Sequence, residues 1–189
     1  MMILLRMPGG IFSCRFGIAC MAAMLLLGGC AGTSHHQSAN AANAAAIGPY
    51  PSFSGRLIVI EPAKRWQVLI KWKAQNPERG WLRISHAATG TVVELRWQGK
   101  IMQVRDNREP AWQPIGLEQL SMRGIVIPPQ TLAAILLGRM PADFKQTDEQ
   151  RWESRESGSL IRLRWQPRTH KLTMIDMKHG RKATLIIQP

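Results

Sequence analysis

The sequence predicts a mainly β fold of the α+β class: a curved antiparallel sheet with a short helical lid over its apolar face. Three observations lead there. Between Phe53 and the C-terminus about nine runs alternate apolar and polar residues with a period of two. Most are joined by short Gly-containing or polar connections, which suits hairpins. Two helix-like stretches interrupt the series after the fifth run, so the order is about five strands, two helices and about four strands.

The chain has 189 residues and begins with a targeting pattern. Arg6 and Arg15 precede an apolar run from Phe16 to Gly29, too short for a comfortable bilayer span of roughly 20 residues. It ends in Leu27-Gly28-Gly29-Cys30, which resembles a bacterial lipobox. That resemblance implies a signal peptide over 1–29, lipidation of Cys30, and, with Ala31 rather than Asp next, a place on the outer membrane facing the periplasm. Cys14 and Cys20 would leave with the signal, so the mature chain carries no disulfide. It keeps 23 Lys+Arg against 12 Asp+Glu, a net charge of +11. Such a charge suits an anionic surface, and export argues against nucleic acid. Residues 30–49, rich in Ala, Ser, Asn and Gly, read as a flexible tether. Residues 50–189 read as one domain, large enough for a real core. His35-His36 lacks a third ligand nearby, and no metal or cofactor is expected.

In "WQVLIKW" Trp66, Val68, Ile70 and Trp72 share a face. In "GWLRISH" Leu82 and Ile84 oppose Trp81, Arg83 and Ser85; in "TVVELRW" Val93, Leu95 and Trp97 oppose Val92, Glu94 and Arg96. "KIMQVRD" follows the turn at Gln98-Gly99. "GLEQLSMRG" reads as a short helix stopped by Gly124, with Leu117, Leu120 and Met122 toward one side. "IPPQTLAAILLGRMP" is a clearer helix: Pro129 sits in its first turn, Leu132, Ile135 and Leu136 form an i, i+3, i+4 stripe, and Pro141 stops it. Ala133, Ala134 and Leu137 make it apolar nearly all round, so it must be enclosed. Strands resume in "RWESRE", "SLIRLRW", "KLTMIDMK" and "ATLIIQ".

A sheet of about nine strands twists and curls. Two helices can cap its concave face and either leave an apolar space or pack against a filled interior; the pattern permits both. The interleaved Trp and Lys/Arg of "RWQVLIKWK" suits base stacking, yet strand alternation explains it equally. Asp176, His170 and His179 invite a catalytic triad, but the sequence holds no nucleophile elbow, HExxH, phosphate loop or paired-carboxylate motif, so no enzyme is expected.

From about Phe53 to the end the chain resembles LolB-type outer-membrane lipoprotein receptors of the LolA/LolB fold group. The resemblance rests on the lipobox, "FSGRLIVI", "VLIKWK", "LRISHAATGTVVEL", "GIVIPPQTLAAILLGRMPADF" and the closing "WESRESGSLIRLRW", "KLTMIDM" and "RKATLIIQ". It implies an unclosed β-barrel with a helical lid over an apolar cavity, and a monomer without cofactor. Such a protein takes acylated lipoproteins, or other lipids, from a LolA-like periplasmic carrier and inserts them into the outer membrane. Candidate cavity residues are Val68, Ile70, Leu82, Ile84, Val93 and Leu95, with Leu132, Ile135 and Leu136 from the lid. The chain departs from the family in two places. Gly138-Arg139-Met140-Pro141 has one residue more than the family's Gly-x-Pro. The membrane-facing loop between the third and fourth strands offers Ala88 and Thr89 where the family has an exposed Leu, as in a divergent member. The alternative is a lipid-anchored structural or interaction protein without transfer activity, using Arg83, Arg96, Arg162 and Arg164 as surface contacts.

Overall fold

In the computed structural model every strand among the described residues joins one antiparallel sheet. The structure describes residues 47–123, 125–155 and 158–189. The expected signal peptide, Cys30, His35-His36 and most of the tether therefore lie outside the described residues. In chain order the elements are β1 Ser52–Glu61, β2 Lys64–Asn76, β3 Arg79–His86, β4 Thr91–Gln98, β5 Ile101–Asp106 and β6 Gln113–Pro114. Helices α1 Leu117–Met122 and α2 Pro129–Leu136 follow, then β7 Lys145–Asp148, β8 Arg151–Ser154, β9 Ile161–Gln166, β10 Lys171–Asp176 and β11 Arg181–Gln188. The eleven strands run in the order β6-β5-β4-β3-β2-β1-β11-β10-β9-β8-β7. The first strand is thus central, the last lies beside it, and the sheet stays open at β6 and β7.

Alternation does what the sequence requires. Along β2 every second residue from Val68 to Ala74 is buried, while Leu69, Lys71 and Lys73 face solvent. Register then aligns the apolar faces in rows. Ile70 lies opposite Ile84 and Ile84 opposite Val93; Trp72 lies opposite Leu82 and Leu82 opposite Leu95. A slip of one residue would turn all these side chains to water, so the buried face pins the register. Gly80 faces Trp97 across the pair, and a Cβ at Gly80 would come within 2.1 Å of the indole carbon Cζ2. The missing side chain lets Trp97 lie over β3, where its Nε1 donates to the Pro77 carbonyl at 2.9 Å.

The helices cover this face unequally. In α2, Pro129, Ala133, Ile135 and Leu136 are buried. The Leu136 carbonyl, unpaired within the helix, accepts from the Tyr50 backbone NH at 2.7 Å. Gln130 ties the other end to the Gly99 carbonyl at 3.1 Å. In α1 only Leu120 is buried; Leu117 and Met122 are 52% and 68% exposed, not turned inward as the helical period suggested. The expected turn at Gln98-Gly99 is present, with Gly99 at φ +57°. Two strands, β6 and β7, were not expected. β6 is two residues long, and β7, Lys-Gln-Thr-Asp, is exposed throughout. Both are sheet edges, and the register shift in β7 blunts further pairing.

Candidate functional site

Between the sheet and the helices lies an apolar cavity of about 210 Å³. Its floor comes from the inward rows: Ile70 on β2, Leu82 and Ile84 on β3, Val93 and Leu95 on β4. Its cover comes from Leu120 of α1, Leu132 and Pro129 of α2, and the connecting Ile125, Val126 and Ile127. Among the described residues the sole charged lining group is Arg123, exposed at the end of α1. Asp106 stands near it, opposite Val93 on the neighbouring strand. The backbone NH groups of Glu109 and Arg108, which donate to its carboxylate, hold it below the usual carboxylate range.

Size decides what the cavity admits. It exceeds the roughly 150 Å³ void that takes one benzene, and falls below the roughly 300 Å³ at which drug-sized ligand pockets begin. A segment of one hydrocarbon chain matches this volume, and a multi-chain lipid exceeds it. Trp72 adds a chemical asymmetry: it lines the cavity, is 3% exposed, and its Nε1 has no hydrogen-bond partner. An indole NH left so costs about 1–3 kcal/mol.

Six of the nine sequence candidates line this space: Ile70, Leu82, Ile84, Val93, Leu95 and Leu132. The other three are placed elsewhere. Val68 is buried opposite Leu57 outside the lining, and Ile135 and Leu136 are fully buried on the other sides of α2. Sequence reasoning missed the far wall, built from Leu57 and Val59 on β1, Met174 on β10, and Ala183 and Leu185 on β11. It also missed Ile125–Ile127, whose signal was a β-branched run in a linker just before two prolines. Ala88 and Thr89 lie in an exposed turn. There Thr89 Oγ1 contacts His86 Nδ1 at 3.1 Å and donates to Thr91 at 2.8 Å.

The suspected triad residues take a different arrangement. Ser159 Oγ donates to Asp176 Oδ1 at 2.5 Å, and His179 Nδ1 meets Asp176 Oδ2 at 2.6 Å. Both side chains engage the carboxylate, so histidine does not face serine as a base must. His170 is apart, its ring packed near Tyr50 and Trp165. The backbone NH groups of Lys178 and His179 also donate to Asp176. The cluster therefore knots the turn between β10 and β11. Burial of Asp176 opposes its charge, but the hydrogen bonds from Ser159 and His179 outweigh this and hold its pKa below the ordinary value. Among the described residues no cluster of three or more His, Cys, Asp or Glu could hold a metal. No helix among them is long and apolar enough to cross a membrane.

No family profile matches the sequence, and no curated protein matches it. Among solved structures the chain is similar to the LolA superfamily protein NE2245 from Nitrosomonas europaea. The likeness covers 83% of this chain and 93% of that one, at 10% sequence identity and a TM-score of 0.42. It brings no residue role or activity across to this chain.

Proposed function

We propose that the protein is a non-enzymatic carrier that shelters acyl chains in its cavity. The observation that carries this reading is the cavity itself: an apolar space walled by strands on one side and by a helical cover on the other. The driving force is transfer of hydrocarbon out of water, about 0.8 kcal/mol per methylene. A chain segment held there is protected yet bound by no covalent or ionic contact, so it remains free to pass on to a bilayer. The finer proposal is that the cargo is acylated lipoprotein, received from a periplasmic carrier and delivered to the outer membrane to which the protein is itself anchored through Cys30.

The two helices divide the work. α2 is fixed by its buried residues and by Tyr50 and Gln130 at its ends. α1 is held by Leu120 and by Arg181, whose Nη1 donates to the Ser121 carbonyl at 2.8 Å. Releasing one leucine and one charged hydrogen bond costs about 4 kcal/mol, within reach of ligand-driven opening. α1 is thus the moving part and α2 the frame.

The test is binding of a mono-acylated peptide by the purified protein, with the same peptide lacking its chain as control. Saturable binding that requires the chain supports the proposal; equal behaviour of both peptides overturns it.

A further inference from the structure

The outward face of β1–β4 carries a charge pattern that the cavity does not explain. Arg56 lies opposite Leu69, and Leu69 opposite Ser85. In the next row Lys71 lies opposite Arg83, and Arg83 opposite Glu94. In the third row Lys73 lies opposite Trp81, and Trp81 opposite Arg96. Five cations thus meet one carboxylate on four adjacent strands, a patch about 15 Å across at the usual strand spacing. Glu94 does not balance them, because it also pairs with Arg105 on β5 at 2.5 Å, closer than its 3.7 Å contact with Arg83. Among the described residues Arg56, Lys71 and Lys73 have no ion-pair partner. Lys71 and Arg83, directly opposite, repel each other and weaken the sheet in isolation.

Such an arrangement calls for an anion from outside, and the apolar residues within it say which kind. Leu69, in the first row beside Arg56, is 52% exposed, and Trp81, in the third row, shares the same face. A soluble polyanion gives an exposed leucine nothing. A bilayer surface takes both parts: its phosphates meet the cations, while leucine and indole enter the headgroup boundary. We propose that the outer face of β1–β4 is a docking surface for a bilayer of anionic phospholipids. It lies on the opposite side of the sheet from the cavity, so a docked protein keeps its lid free. This inference does not depend on the carrier reading.

The experiment uses the mature chain from residue 30 with Cys30→Ser, which carries neither the apolar run of 16–29 nor the acceptor for a lipid anchor. Co-sedimentation is measured with vesicles of pure phosphatidylglycerol and of pure phosphatidylcholine over a salt series. Preferential, salt-sensitive binding to phosphatidylglycerol is expected. Each cation near such a surface contributes about fivefold, so Lys71→Glu/Lys73→Glu should weaken binding by at least about 25-fold. The carboxylate that replaces the Lys71 ammonium would pair with Arg83, so this variant should fold; its thermal melt checks that, and Lys71→Gln/Lys73→Gln is the milder second variant. Arg139→Glu/Arg168→Glu changes net charge equally at exposed sites off the face and should leave binding nearly intact. Equal binding to both vesicles, or equal loss in the two charge-reversed variants, would overturn the proposal. So would equally tight binding of duplex DNA combined with indifference to Leu69→Ser, because the face would then serve soluble polyanions.

Discussion

Filling the cavity should make the protein more stable and less able to bind. At about 24 cal/mol per Å³, an unfilled space of 210 Å³ represents about 5 kcal/mol of forgone packing. Ile84 and Val93 lie directly opposite each other on the floor, both only partly buried, with open space above them. Ile84→Phe/Val93→Phe places two rings in that space. If they occupy about two-fifths of it, the double variant gains about 2 kcal/mol, or a rise in Tm of roughly 5 °C. Thermal unfolding followed by circular dichroism measures the first effect, and titration with a fluorescent fatty-acyl probe the second. Affinity should fall at least about tenfold. In a tightly filled interior the same substitutions would overpack and cost about 1–3 kcal/mol. A lowered Tm with unchanged probe binding would therefore mean that no ligand-accepting space lies above Ile84 and Val93.

Three further outcomes follow from named contacts. Arg181→Gln frees the Ser121 carbonyl and weakens the hold on α1, so hydrogen exchange over 117–122 should quicken by roughly tenfold, as loss of one charged hydrogen bond implies, while α2 stays protected. Gly80→Val drives Trp97 off β3 and breaks its bond to Pro77, costing about 3 kcal/mol in urea unfolding; a loss below about 1 kcal/mol would contradict the packing described. Asp176 has a folded pKa below its unfolded value near 3.9, so its stabilising contribution is complete above that value and disappears as pH falls through the folded pKa. Asp176→Asn should therefore lower stability near neutral pH, and the gap to the parent protein should close in acid unfolding below about pH 4.

Strand alternation was legible because one face of the sheet is buried and the other wet, as β2 and β9 show residue by residue. The enclosed state of α2 was legible from its nearly all-apolar surface. β7 was not, because an edge strand with both faces exposed carries no apolar signal. The exposure of Leu117 and Met122 was not legible either, since six residues give too little helical period to fix a buried side. At the site, alternation groups Val68 with Ile70 but cannot say which rows lie beneath the helices; only cross-strand register does. The walls on β1, β10 and β11 depend on the return of β11 beside β1, a pairing between chain ends that local pattern does not encode.

The proposed function requires hydrocarbon to enter the space bounded by the inner strands and the helices. Trp66 and Trp72 line that space, whereas Trp81 lies on the outer face and Trp112 stacks there between Arg96 and Arg105. A brominated acyl chain quenches an indole on contact, so titrating a brominated mono-acyl peptide reports entry directly. Saturable quenching is expected, largely lost in Trp66→Phe/Trp72→Phe. Absence of saturable quenching, or quenching that persists undiminished without these two indoles, would contradict it.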